Sequence, residues 1–191
     1  LQSVLNAGDI AAVQIQANGQ LAPINLKPWL ADLTQSMRGQ TQYSTLLTIP
    51  MTNDPVHIIL DSNLIGWQID LPEPFKKVAD KSLPVHYEME LQSPHKQTGY
   101  LVVGSALQSG FEVKNGLINR MIVLLGENWT GELPLDGLWI QGHLDHMNID
   151  EWLPWLRPVN KNKAPQNVAS VMPNLQSFSV SFDDMAYWGY Q

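Results

Sequence analysis

Apolar and polar side chains alternate along much of this chain, and a strand that alternates places all its apolar residues on one side of a sheet. Ile65, Trp67, Ile69 and Leu71 interleave with Gly66, Gln68 and Asp70, and Val85, Tyr87, Met89 and Leu91 with His86, Glu88, Glu90 and Gln92. Phe178, Val180 and Phe182 do the same with serines 177, 179 and 181. Further strands are expected around Val13 and Ile15, from Tyr43 to Ile49, from Val56 to Leu60 and from Tyr100 to Val103. Another pair flanks Asn115-Gly116, the dipeptide that suits a type I′ hairpin because both central residues need positive φ. Its return strand runs to Leu125, a long strand covers Leu138 to Ile149, and Ala186 to Tyr190 begins one more. The expected total is about ten to twelve strands, so the class is mainly β. An apolar sheet face has to be buried against something: a second sheet, its own closure into a barrel, or a groove whose contents are not protein.

Two short helices are all that the remaining sequence offers to cover it. Gly142 to Leu156 reads as a strand turning at once into a helix opened by Asp150, with Trp152, Leu153 and Leu156 on one face. Gly19 to Leu33 repeats this text without a gap, Gly19, Leu21, Asn25, Trp29, Leu30 and Leu33 standing where Gly142, Leu144, Asn148, Trp152, Leu153 and Leu156 stand. In the first copy Pro28 is expected at the first helical position, where its missing N–H costs nothing. Pro154 lies about one turn into the second helix and should keep it short. Both tryptophans should be largely buried, pinning their helices to the edge or end of the sheet. A device that recurs points to an extended, repetitive sheet rather than a closed sandwich. Two segments fall outside it. Leu71–Pro84 contains three prolines and should be a non-strand connection crossing near the sheet edge, with Lys76, Lys77 and Lys81 as a solvated face. Arg157 to Pro173 reads as a mobile loop.

The chain has 191 residues and reads as a single fragment of a longer protein, with strand–helix units at 19–33 and 142–156. Its net charge of −7, with lysines and arginines scattered, argues against nucleic acid and against a polybasic hold on anionic lipid headgroups. The absence of cysteine removes disulfides and thiol chemistry. His143-Leu-Asp-His146 has the composition of a metal site, but on a strand His143 and Asp145 share one face while His146 points to the other. His57, His86 and His95 form no motif that would complete it, so neither a metal nor another cofactor is assigned. Glu88 and Glu90 fall on the polar side of a clean strand. Asn128-Trp-Thr130 matches a glycosylation acceptor by chance composition, and no nucleophile, phosphate-loop or dinucleotide motif is present, so no catalytic residue is assigned.

Two stretches carry a resemblance. Asp61 to Pro84 is similar to the S-x-L-x-G-x-x-x-x-L-P-x-P-x-x-K segment of YhdP-type proteins, in the AsmA-like superfamily of Gram-negative envelopes. The stretch from Gly137 through Trp152 resembles that family's G-L-x-I-x-G-x-L-x-x-L-D-x-D-x-W-L segment, with Asn148 where the family often has Asp. Order and spacing agree from about Gly8 to Gln191. The resemblance implies a long, inner-membrane-anchored protein whose periplasmic part is an extended, curled antiparallel sheet, a repeated β-groove that carries phospholipid acyl chains between the two membranes. It carries over no catalytic residue. The candidate lipid-groove or core face is then Ile65, Trp67, Ile69, Leu71, Val85, Tyr87, Met89 and Leu91, expected to project from one continuous sheet surface. The alternative is a structural or protein-interaction β-sandwich module with an ordinary core. Whether the apolar phases line an open concavity or face a second sheet discriminates the two.

Overall fold

Nearly every alternating run becomes a strand. The computed structural model describes residues 2–6, 9–156 and 173–188. Strands β1 (Gln2–Asn6), β2 (Asp9–Leu21), β4 (Thr41–Pro50), β5 (Val56–Ser62), β7 (Val85–Ser93), β8 (Lys96–Val103), β9 (Leu107–Lys114), β10 (Leu117–Leu125), β11 (Gly137–Asn148) and β12 (Leu175–Ala186) form one ten-stranded sheet in that order. The short strands β3 (Met37–Gly39) and β6 (Trp67–Ile69) pair only with each other. Helices α1 (Pro23–Leu30) and α2 (Ile149–Leu156) and a 3₁₀ turn at Ala31–Ser36 complete the described elements. The expected Arg157–Pro173 loop lies, but for its last residue, outside the described residues.

Neighbours in the sheet are neighbours in the chain, so most connections are hairpins. The β9–β10 turn holds Asn115 at φ 52° and Gly116 at φ 79°, the left-handed pair that the Asn-Gly dipeptide supplies. Pairing is antiparallel from β1 to β10. The expectation of a wholly antiparallel sheet fails at the last two joins, where β10–β11 and β11–β12 are parallel. A parallel join needs a crossover. Residues 126–136 make the first by lying across the sheet: Trp129 stacks on Tyr100 at 4.8 Å and sits over Gly110, and Arg120 Nη1 donates to the Pro134 carbonyl.

The Leu71–Pro84 segment is irregular apart from one bridge, Ile69 to Lys77, as its prolines require. It does not cross a sheet edge, however. Strands β5 and β7 are adjacent in the middle of the sheet, so the chain leaves one strand end and returns to it. That excursion builds a small plug around Leu64, Trp67 and Ile69, against which Leu21, Leu26, Met37, Leu71, Leu83 and Val85 pack. Trp67 Nε1 donates to the Leu21 carbonyl, tying the plug to the end of β2. Lys77 is no part of a solvated face: it is 5% exposed, and its Nζ donates to the Trp67 and Val78 carbonyls. Burial lowers its pKa, which Asp80 opposes.

Both helix starts differ from the expected ones. Helix α1 begins at Pro23, so Pro23 rather than Pro28 occupies the first helical position, and Asn25 Oδ1 reaches back to accept the Ala22 N–H. In α2 the cap is Asn148, whose Oδ1 accepts the Asp150 N–H, and Asp150 lies inside the helix. Pro154 is inside α2 as expected. Trp152 is half-buried, its Nε1 donating to the Glu73 carbonyl and its ring set edge-on to Phe75. The side chains of Trp29 and Leu30 lie outside the described residues.

Candidate functional site: an uncovered apolar sheet face

Residues paired across neighbouring strands share a face of the sheet, so the pairing register can be read as rows running across the strands. One row is Ala17, Thr45, Leu60, Tyr87, Leu101, Ser109, Val123, Ile140 and Phe178. The next is Ile15, Leu47, Ile58, Met89, Gly99, Phe111, Met121 and Leu138. Neither row contains a charged residue. On the opposite face the corresponding row is Asn18, Ser44, Asp61, His86, Val102, Gln108, Leu124, Gln141 and Ser179. The sheet is thus two-sided: one face is apolar from β2 to β12, and the other carries most of the charged residues, with apolar side chains such as Leu46, Ile59, Ile122 and Trp139 among them in its next row.

The plug meets the apolar face only at its end, through Leu21 and Val85, and the 126–136 crossover lies on the polar face. Beneath the 126–136 crossover, Leu124 is 3% exposed and Glu112 1% exposed. Glu112 bonds to Arg120, Lys114 and Asn119 at 3.0 to 3.1 Å. Burial alone would raise its pKa, but Arg120, Lys114 and Asn119 outweigh burial and hold it at about 2. Elsewhere on this face His86 bridges Asp61 at 2.7 Å and Glu88 at 3.0 Å, and His57 stands 3.7 Å from Glu90. The Asp61 hydrogen bond is the largest cause raising the His86 pKa.

No second sheet and no helix lies over the apolar face among the described residues. The β3–β6 pair sits at the strand ends with α1, and α2 contacts β12 and the Glu73–Phe75 stretch. Among the described residues the fully buried apolar side chains are Leu64, Trp67, Leu124, Ile69, Ala186, Pro23 and Pro72, and none belongs to the two apolar rows. Those rows are mostly half-buried.

What shields them is the sheet itself. Ser109 is on this face and 0% exposed. Phe111 lies over Gly99, where any side chain would collide with its ring, and stacks on Tyr87 two strands away with ring centroids 6.1 Å apart. Burial raises the Tyr87 pKa. Side chains on this face, called the inner face below, crowd enough to bury a serine and to stack rings two strands apart.

The eight residues nominated from the sequence do not form one surface. Tyr87, Met89 and Leu91 lie on the apolar face of β7. Val85 shares their phase but also packs against the plug. Trp67 and Ile69, 3% and 8% exposed, are inside the plug with Leu71 beside them, and Ile65 is in a turn, 48% exposed. The two alternating runs belong to different sheets, so no single register could join them. Leu47, Ile58, Leu101, Phe111, Val123 and Ile140 belong to the face and were not nominated. Their alternation was visible, but which phases align across strands depends on register. Of the repeat residues, Gly19 and Gly142 fall in one further row of the same face, near its two ends.

Two other features lie off this face. His143, Asp145 and Asp183 bring ligand-capable atoms within 4.8 Å of one another on the polar side, where His143 Nε2 is 3.3 Å from Asp183. His146 instead meets Asp184 at 2.8 Å in the phase of the apolar face, at the far end of β11 and β12 and outside its two apolar rows. An open depression of about 700 Å³ at the ends of β2, β4, β5 and β7 has a mixed lining that includes Asn18, Gln42, Asp61 and His86.

A protein-family model described as YhdP protein matches residues 3–188. No curated protein and no solved structure matches the chain.

Proposed function

The chain belongs to the YhdP family, and from that membership and the uncovered inner face we propose that it is one segment of a lipid-transfer bridge in the Gram-negative envelope. Phospholipid acyl chains slide along the apolar rows between inner and outer membranes, and the parent protein is held at the inner membrane. The observation that supports the proposal is the apolar face itself, continuous over the sheet and covered by no second sheet among the described residues. At about 4.8 Å per strand, ten strands give a track about 43 Å long. One leaflet's hydrocarbon is about 15 Å thick, half of a bilayer core, so the track outruns a single acyl chain. Each methylene taken from water contributes about 0.8 kcal/mol, which holds a chain without any specific contact and lets it move from row to row. A sandwich module would need a sheet across this face, and the two-stranded sheet occupies only the strand ends.

Among the described residues no helix is long and apolar enough to cross a membrane, so the proposed anchor is a matter for the parent protein. The first test is native mass spectrometry of the purified chain after exposure to phospholipid vesicles, with lipid extraction of the same sample. Bound phospholipid is expected. Met89→Asp puts a carboxylate on the open face, where water reaches it, so the variant should keep its circular dichroism spectrum and lose most of the bound lipid. A variant that unfolds would mark the face as a sealed core, and a folded one with undiminished lipid would remove the acyl chains from it. Ile69 is unsuitable for this experiment because it belongs to the plug.

A further inference from the structure

The row through the middle of the inner face contains three hydroxyls, from Thr45, Tyr87 and Ser109, in otherwise apolar surroundings. They differ in what they bond. Thr45 Oγ1 donates to the Ile59 carbonyl at 2.8 Å and is spent on the sheet. Ser109 Oγ is completely buried and has no hydrogen-bond partner. The Tyr87 hydroxyl likewise meets no protein partner among the described residues. Its ring stacks on that of Phe111, which reaches across β8 over Gly99. Ser109 stands in the same row as Tyr87, two strands away across Leu101, so both hydroxyls belong to one stretch of track at β7–β9.

A buried hydroxyl without a partner is unfavourable, and most buried polar groups in folded proteins are paired. Here the two groups offer donors on a surface otherwise made for hydrocarbon. The ligand feature that fits is an acceptor attached directly to acyl chains and carrying no charge, since the two apolar rows hold no cation to receive a phosphate or carboxylate. The ester carbonyls of a glycerolipid have this chemistry. We propose that Tyr87 and Ser109 form a polar station in the groove that hydrogen-bonds the ester carbonyls of a passing diacyl lipid. The station rests on the conduit reading and adds to it a preference for ester-linked over ether-linked lipid. A chain that parts Leu101 and Val123 reaches Ser109, and the phenol of Tyr87 takes the second carbonyl.

The experiment compares a diacyl phosphatidylethanolamine with its dialkyl ether analogue of equal chain length, presented in vesicles and quantified by native mass spectrometry. The wild-type chain is expected to favour the ester form, and Tyr87→Phe and Ser109→Ala to reduce that preference by about 2- to 10-fold each, the range for one net hydrogen bond. Ether-lipid binding should not change, and thermal melting of Ser109→Ala without lipid should be unchanged or higher, because an unpaired hydroxyl has been removed. Equal binding of the two lipids by the wild type sinks the station and leaves the conduit standing. Equal loss of both lipids in the variants assigns these residues to packing and also overturns it. If the wild type binds neither lipid, the conduit fails and the station with it.

Discussion

Charge is handled in this protein one residue at a time. Glu112 is the clearest case, a carboxylate sealed under a crossover and held ionised by Arg120, Lys114 and Asn119. Its pKa falls from 4.5 to about 2 on folding, so its contribution is fully present above the unfolded value and is lost as pH falls from about 4.5 towards 2. The loss should be on the order of 3 kcal/mol, read from urea unfolding at a series of pH values. Glu112→Gln should flatten that part of the profile, and an unchanged profile would show that the cage does not depress the pKa. Lys77 teaches the opposite lesson about legibility. In sequence it stands beside Lys76 and near Lys81, and nothing marks it as the one whose Nζ enters the plug to meet two carbonyls. Burial of a single lysine is decided by the tertiary fold, which a charge run does not encode.

At the scale of elements, alternation found the strands of the large sheet but overestimated the run from Ile65 to Leu71. Only Trp67–Ile69 is extended there, bounded by a turn in which Leu64 and Gly66 have positive φ. Its partner β3 has three residues and no sequence signature, so the small sheet was invisible. The repeated strand–helix text was legible as two short helices at the sheet end, yet the same asparagine works differently in each. Asn148 caps α2 from outside, whereas Asn25 lies inside α1 and reaches back, because Pro23 starts that helix earlier. Trp152 is half-buried and holds α2 to the Glu73–Phe75 stretch by one hydrogen bond and one edge-on ring contact. Trp152→Ala should therefore cost about 1–2 kcal/mol, below the 3–5 kcal/mol of a full core tryptophan. A loss in that higher range, measured by chemical denaturation, would mean that α2 is integral to a core.

Taken together, the described residues form a sheet with most of its charge on the outside, a plug at one set of strand ends and an apolar inside whose side chains are mostly half-buried. That an apolar face existed, and that two short helices were too little to cover it, followed from the sequence. Which residues make it did not, because each strand's phase is local while register is set by turns, bulges and the two parallel joins. The central claim is that acyl chains occupy the inner face and not the outer one. Strand β7 tests it most directly, since Glu88, Met89, Glu90 and Leu91 alternate between the faces within one short stretch. A photocrosslinking amino acid placed at each of these positions in turn, in cells expressing the parent protein, reports which side chains touch phospholipid. The account predicts a period of two, with lipid adducts at positions 89 and 91 and none at 88 and 90. Adducts of equal yield at all four positions, or none at 89 and 91 in folded protein, would contradict it.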